Sequence, residues 1–130
     1  MQKELHYHKM LWAHPIHKPT KEQLDSIKGE LVYLTDINPE LAKKLEQSPD
    51  TTGELQAIAK EVSKVLFDNH CDCIIQPGGS IPQVALIVYD YYENMVYAFS
   101  HSPRVTTEVV KEDGSIEKVS TFKHQGWIVI

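Results

Sequence analysis

In the first third of the chain, the spacing of apolar and polar residues is typical of strands in two stretches and of a helix in the stretch between them. Leu5–Ala13 is rich in β-type residues and Leu31–Thr35 is continuously apolar, so both are predicted strands. Between them, Thr20 can cap a short helix that we expect to end at Gly29. This part of the chain therefore predicts a strand, a helix and a second strand.

The middle of the chain predicts three helices around one short strand. Asn38 can cap the first helix, with Pro39 at its first position, where no backbone hydrogen bond is lost. Apolar residues recur every three or four positions over Gly53–Asn69, which is the clearest helical pattern. Cys73–Ile75 is a predicted buried strand, and Ser80–Tyr91 is a predicted helix with an unusually apolar body.

The C-terminal third predicts strands. Val96–Ser100 is an apolar strand, and Asp113-Gly114, flanked by alternating residues, is typical of a two-residue hairpin turn. Counting outward from this turn pairs Val105 with Phe122. The alternation of strands and helices predicts an α/β fold. We expect a single Rossmann-like three-layer domain over residues 1–130, with a mainly parallel sheet and a C-terminal antiparallel β-hairpin.

One face of this hairpin is expected to be buried because apolar side chains share it. The residues on that face are Val105, Val109, Ile116, Lys118, Ser120, Phe122 and His124. Arg104 and Glu108 are expected to point the opposite way. Lysine among apolar neighbours is typical of a sheet rim or of a site, and the company of Ser120 and His124 favours a site or a subunit interface.

Composition is that of an ordinary globular protein of 130 residues, 42% hydrophobic and 24% charged. No apolar run approaches the ~20 residues of a membrane-spanning helix, and no signal-peptide pattern opens the chain, so we expect a cytoplasmic protein without membrane contact. The net charge of −5 argues against sequence-blind binding to long nucleic acid. It leaves room for a small anionic ligand in a local basic pocket.

The two cysteines are too few and too close for a disulfide framework, which fits a reducing compartment. His70-Cys71-Asp72-Cys73 could belong to a metal site, yet no second cysteine pair completes a tetrahedral set. The spacing of Cys71 and Cys73 places both thiols on one strand face and favours a buried strand start. We therefore expect no metal and no cofactor.

Candidate chemistry follows three predicted strands, and ligands of such sheets gather at the carboxyl ends of the strands. The imidazoles of His14 and His17 can carry protons, and Lys18 can bind a phosphate. Gly78-Gly79-Ser80 can offer backbone donors to a phosphate. Past the last of these strands come Ser100, Ser102 and Arg104, the only arginine of the chain.

Each of these features also has a purely structural explanation. The glycine loop could be a plain turn with Ser80 as a helix cap, and with seven histidines in the chain any one could lie on the surface. The hairpin could be a solvated edge that carries one surface arginine.

Two stretches of sequence resemble the small ring-nuclease-type proteins of type III CRISPR loci. The N-terminal stretch is His17 to Gln23, similar to a His-x-x-Thr-x-Glu-Gln run. The C-terminal stretch comprises Ala98-Phe99-Ser100, Arg104, Glu108, Asp113-Gly114-Ser115, Lys118, Ser120, Phe122-Lys123-His124 and Trp127. The chain departs from the family at residues 76–80, where a Gly-Asp-rich loop would be expected. His14-Pro15 also adds a second histidine-bearing break.

The resemblance implies a homodimer that binds cyclic oligoadenylate and cuts it without metal to linear products with a 2′,3′-cyclic phosphate. It implies catalytic roles for His124, His17, Lys118, Ser120 and Arg104. From the residues at the predicted strand ends and in the hairpin, we further expect ligand contacts by His14, Lys18, Gly78, Gly79, Ser80, Ser100, Ser102 and Glu108. The alternatives are a sensor or sponge that binds the messenger without cutting it, or an interaction protein that uses the hairpin and the apolar helical stretch Ile81–Tyr91 as a partner surface.

Overall fold

The computed structural model describes residues 1–14, 16–47, 51–76 and 96–129. Its strands are β1 (Leu5–Trp12), β2 (Ile27–Tyr33), β3 (Cys73–Gln76), β4 (Val96–His101), β5 (Arg104–Val110), β6 (Ile116–Phe122) and β7 (Gly126–Val129). Its helices are α1 (Lys21–Asp25), α2 (Leu34–Ile37), α3 (Pro39–Glu46) and α4 (Thr52–Asp68). The predicted turn at Gly78-Gly79-Ser80 and the predicted helix Ser80–Tyr91 lie outside the described residues.

Within these ranges, the main sheet has the strand order β2-β1-β3-β4-β7. The first four strands run parallel and β7 pairs antiparallel with β4, while β5 and β6 form a separate antiparallel hairpin. The chain is therefore a mixed α/β protein with a mostly parallel sheet and an antiparallel hairpin. The prediction omitted α2 and the short edge strand β7.

Most predicted elements of the main body are confirmed. β1 lies where the β-type residues predicted it, and α4 covers the clearest helical pattern. The Asn38 side chain caps α3 by accepting a hydrogen bond of 3.1 Å from the backbone N–H of Leu41, with Pro39 at the first position. These elements form where local propensity, capping and hydrophobic spacing agree.

The prediction that the first helix runs to Gly29 is wrong. α1 ends at Asp25, and Gly29 lies inside β2 with a φ of +148°. A side chain at this position would collide with the backbone carbonyl oxygen of Tyr7, where the register between β1 and β2 shifts. Glycine is needed here because two strands approach closely at an irregular point of the sheet.

Buried side chains lie on both faces of the sheet, because neighbouring residues of β1 enter different clusters. Leu11 belongs to a cluster with residues of α2, α3 and α4, whereas Met10 and Trp12 belong to a second cluster. The second cluster also contains Leu5, Ile27, Cys73, Ile75, Ala98 and Trp127. The alternation follows from the two-residue period of a strand.

The sequence predicted that both cysteines lie on one face of a strand, and this prediction is wrong. Cys71 precedes β3 and packs in the first cluster, whereas Cys73 opens β3 and packs in the second. His70, with a φ of +56°, turns the chain just before them. Both thiols are free and buried, and burial raises the pKa of Cys73 to about 12, which disfavours the thiolate.

The hairpin is one residue out of the predicted register. Arg104 lies opposite Phe122, and Glu108 lies opposite Lys118. The backbone of Lys111 bonds that of Ser115, so three residues form the loop, and the third is Gly114 with a φ of +83°. The loop is one residue longer than predicted, so the pairing of the two strands shifts by one residue. Such a shift exchanges the two faces of a strand.

Two further expectations about the hairpin are therefore wrong. Arg104 and Glu108 share a face with Lys118, Ser120 and Phe122 instead of pointing away from it. The predicted burial is also absent, since every residue of β6 is exposed and only Val105 of β5 is partly covered.

Within the described ranges, no helix combines the length and the apolar composition that a membrane crossing requires.

Candidate functional site

A cleft of about 800 Å³ opens at the carboxyl ends of β1 and β4. The segment after β1, the start of α1, the end of β4 and the segment around the end of β6 form its walls. The lining residues are Trp12, His14, His17, Lys18, Thr20, Lys21, Glu22, Gln23, Ser100, Ser102, Phe122 and His124. The topology thus brings residues more than one hundred positions apart into one site at the sheet edge where α/β proteins bind ligands.

The Ser100 hydroxyl is the centre of a hydrogen-bond cluster in this cleft. Its Oγ lies 2.6 Å from His124 Nδ1 and 2.6 Å from Ser102 Oγ, and it accepts a 3.1 Å hydrogen bond from Gln23 Nε2. A hydroxyl has one proton to donate. With Gln23 as a donor, Ser100 donates to either His124 or Ser102 and accepts from the other, so it can pass a proton between them.

Gln23 is held in place by the cap of α1. Its side-chain oxygen accepts from the backbone N–H of Thr20, and Thr20 Oγ1 accepts from the backbone N–H of Gln23. This reciprocal capping box leaves the Gln23 amide nitrogen free to reach Ser100. Ser26 extends the network, because its hydroxyl donates to the Gln23 carbonyl and accepts from the indole N–H of Trp127.

His124 is held as a neutral imidazole. Its ring lies 4.7 Å from the Trp127 ring, and its Nε2 is buried without a hydrogen-bond partner in the described part of the chain. Burial lowers the pKa of His124 below the ordinary value of 6.5; Glu22 partly opposes this, and His101 and Lys3 add to it. A neutral imidazole next to a hydroxyl can act as a general base at neutral pH.

His14 is a second neutral imidazole, and its tautomer is set by the backbone. Its Nδ1 accepts hydrogen bonds from the N–H groups of Ile16 at 3.1 Å and His17 at 2.9 Å. Neutral His14 must therefore carry its proton on Nε2. Burial, and to a smaller extent the neighbouring His17, lower the pKa of His14.

His17 is the exposed imidazole of the cleft. Its ring centroid lies 4.7 Å from that of His14, and its carbonyl accepts a 2.8 Å hydrogen bond from the indole of Trp12. Trp12 is almost fully buried, so the core of the sheet anchors the segment that carries His17. Lys18 and Lys21 add two positive charges to the same wall, against the one negative charge of Glu22.

The structure does not bring all the sequence-predicted site residues together. His14, His17, Lys18, Ser100, Ser102 and His124 line the cleft. Lys118, Ser120, Glu108 and Arg104 lie on the exposed hairpin, where Ser120 Oγ is 3.1 Å from Thr106 Oγ1. Gly78, Gly79 and Ser80 lie outside the described residues.

Several lining residues were not among the sequence candidates. Gln23 is buried and joins the helix cap to Ser100; the spacing of Thr20 and Gln23 is that of a capping box and could have indicated it. Phe122 lines the cleft although it had been assigned to a buried hairpin face. Only the correct register could have placed it.

In the described ranges, no cluster of three or more histidine, cysteine, aspartate or glutamate side chains is arranged to hold a metal ion. What the cleft offers instead is imidazoles, hydroxyls and lysines. This combination can bind an anion and move protons.

The fold and the cleft define an α/β protein with a cleft of imidazoles, hydroxyls and lysines at the carboxyl edge of its sheet. The chain belongs to the uncharacterized protein MJ1673 family, whose model matches residues 9–128. The matched range contains every residue that lines the cleft and the whole β5–β6 hairpin. No curated protein and no solved structure matches the chain significantly.

Proposed function

We propose that this protein is a metal-independent ring nuclease that opens cyclic oligoadenylate, with cyclic tetra-adenylate as the first candidate, and so switches off type III CRISPR signalling. The observation that carries the proposal is the placement of His17, Lys18 and the Ser100–His124 pair in one cleft. The resemblance of the His17–Gln23 run and of the C-terminal motif to ring-nuclease-type proteins supplies the substrate class.

The reaction needs a nucleophile, a base and an acid, and RNA supplies the nucleophile itself. The ribose 2′-oxygen attacks the adjacent phosphorus while the bond from phosphorus to the 5′-oxygen breaks. The 2′-hydroxyl proton passes to Ser102 Oγ as the Ser102 proton passes to Ser100 Oγ and the Ser100 proton passes to His124 Nδ1. His17, as the general acid, donates a proton to the leaving 5′-oxygen. The products are a 2′,3′-cyclic phosphate at one end and a 5′-hydroxyl at the other.

The remaining cleft residues would bind the phosphate. Lys18 and Lys21 supply positive charge to the phosphate oxygens, and the Nε2–H of neutral His14 donates a hydrogen bond. Alignment and charge stabilisation are the main contributions that a protein makes to such an in-line reaction. Arg104, Lys118, Ser120 and Glu108 have no place in this step within one copy of the chain.

A homodimer is part of the proposal. The cleft volume of about 800 Å³ falls in the range of sites for one drug-sized ligand. A ring of four nucleotides exceeds such a site, and two clefts related by a two-fold axis could share a ring of even symmetry. The exposed hairpin offers surface for the contact between copies.

We also propose that the chain forms a single Rossmann-like domain of three layers and that the protein works in the cytoplasm. Residues on both faces of the sheet are buried, which is typical of parallel sheets covered on both sides. The two free, buried cysteines fit a reducing compartment.

A binding protein that does not cleave is the second candidate. Both nitrogens of His124 are already engaged or buried, so this ring cannot contact a ligand directly. A sensor or sponge would need only the lysines and the shape of the cleft.

The deciding experiment incubates excess purified protein with cyclic tetra-adenylate in EDTA and analyses the products by mass spectrometry. We expect linear tetra-adenylate with a 2′,3′-cyclic phosphate, and rings of three to six adenylates give the size preference. If no linear product forms, the enzyme claim is rejected. Tight binding without turnover, unchanged in His124→Ala, selects the sensor or sponge.

A further inference from the structure

We propose that Phe122 and Arg104 form a stacking platform at the rim of the cleft, which binds a purine base of the ligand beside its phosphate. The inference rests on the proposed function, because it names the part of a nucleotide ligand that this rim takes. It also gives the end of the β5–β6 hairpin that lies away from its loop, where Arg104 pairs with Phe122, a role in ligand selection.

Phe122 is placed where a ligand can reach it. It is the last residue of β6, it lines the cleft, and 71% of its surface is exposed. It belongs to neither core cluster. Burying this ring against a ligand would release free energy that its exposure to water forgoes.

Arg104 lies directly opposite Phe122 in the hairpin ladder, and its guanidinium carbon is 5.3 Å from the ring centroid. The guanidinium can cover one face of the ring only, and the large exposed fraction of Phe122 leaves the other face open. Among the described residues, no ion pair involves Arg104. Its charge therefore remains available to an anion next to the stacked group.

This pair selects a chemical class of ligand. A flat base stacks on the free face of the ring, and the adjacent guanidinium binds the attached phosphate. Purines have the larger π-surface and gain more from stacking than pyrimidines do. Lys18, Lys21 and His14, which line the same cleft, would hold the next phosphate.

Ile116 gives a matched control for the exposed hydrophobic surface itself. It lies at the other end of β6, on the same face of the hairpin, and it is 61% exposed. It does not line the cleft. If exposed hydrophobic surface on the hairpin in general affects ligand binding, both Phe122→Ala and Ile116→Ala would change the affinity. If Phe122 makes a stacking contact, Phe122→Ala alone would change it.

The test measures binding without cleavage. The probe is linear tetra-adenylate with 2′-O-methyl riboses, which lacks the attacking hydroxyl, and affinity is measured by isothermal titration calorimetry in EDTA. We expect Phe122→Ala to weaken binding roughly 5- to 150-fold, the range for loss of one base–aromatic stack. Phe122→Tyr should stay within about twofold of wild type because it keeps the ring. Ile116→Ala should bind as wild type does.

The outcomes separate this inference from the proposed function. If wild type binds the probe and Phe122→Ala binds it equally well, the platform is rejected while the ring-nuclease proposal stands. If wild type binds in a Phe122-dependent way but opens no ring, the platform stands and the enzyme claim is rejected. If wild type binds no oligoadenylate, both are rejected. The 2′-O-methyl tetra-uridylate should bind more weakly than the adenylate, and equal affinity would overturn the purine assignment.

Discussion

The cleft and the β5–β6 hairpin contain similar side chains, yet they place them in opposite environments. Ser100 in the cleft is partly buried and contacts Gln23, Ser102 and His124. Ser120 on the hairpin is exposed, and the Thr106 hydroxyl is the one hydrogen-bond partner of its side chain among the described residues. Burial with several partners fixes a side chain and shifts its pKa, whereas exposure leaves it solvated. The comparison shows that residue type alone does not identify a site.

The difference has a structural origin. The cleft stands on the carboxyl ends of strands whose side chains fill two buried clusters. The hairpin extends away with two strands, and such a hairpin is marginally stable in water without a further partner. Side chains in the cleft are therefore positioned by the core, while those on the hairpin are exposed to solvent in a single copy of the chain.

The largest expected effect separates the two regions in catalysis. His17→Ala should lower the rate of ring opening roughly 100-fold or more, because it removes the proton donor to the leaving oxygen. Lys118→Ala should change the rate by less than about threefold, since an exposed charge outside the cleft contributes little. Product formation under single-turnover conditions measures both. An equal loss in the two variants would mean that the hairpin of a second copy enters the cleft, and light scattering of Lys118→Ala would then show whether the dimer persists.

The second comparison is between two glycines with positive φ. Gly29→Ala should cost about 3 kcal/mol or more of unfolding free energy, because the new side chain meets a backbone carbonyl in the main sheet. Gly114→Ala should cost only about 1 kcal/mol, since its surroundings are open and only the backbone conformation is strained. Urea denaturation measures both values. Equal costs would show that the hairpin is as integral to the folded core as the sheet is.

The third comparison removes a hydroxyl from each region. Ser100→Ala should destabilise the protein by about 2 kcal/mol, because Gln23 and His124 each lose a hydrogen-bond partner in a partly buried site. Ser120→Ala should stay within about 0.5 kcal/mol, as is usual for exposed surface substitutions. Thermal unfolding of the two variants gives the difference. A Ser120 variant as destabilised as the Ser100 variant would contradict the exposed placement of the hairpin.

The smallest effect is the dependence of stability on pH. The pKa values of His124 and His14 are lowered, mainly by burial, so the unfolded chain takes up protons first as the pH falls. The stability that these two histidines contribute to the folded state is complete above about pH 6.5. It is lost as the pH falls through their lower pKa values in the folded chain. The pKa of Asp113 in the hairpin turn is also lowered, chiefly by the Ser115 hydroxyl. The Asp113 carboxyl therefore affects stability only at a pH around or below its ordinary pKa of 3.8.

Urea midpoints measured between about pH 7.5 and about pH 5.5 therefore report on the cleft and not on the hairpin turn. The double variant His14→Gln and His124→Gln should flatten the profile in this window. A profile of unchanged slope would show that other groups cause it.

Local pattern determined much of the fold. The β-type residues of β1, the apolar spacing of α4 and the Asn38-Pro39 start of α3 each specify an element within one stretch of chain. The alternation of strands and helices along the chain also indicated a mostly parallel sheet. These predictions succeeded because each depends on contacts or capping within a few residues.

The sequence by itself determined most of the elements, the presence of a glycine-bearing hairpin loop and the presence of imidazoles, hydroxyls and lysines near strand ends. Only the tertiary structure decided which of them meet. The three-residue loop set the hairpin register, the approach of β1 to β2 placed Gly29 inside a strand, and strand order joined Gln23 to Ser100 and His124. Such contacts depend on long-range packing and backbone register, and no short stretch of residues encodes them.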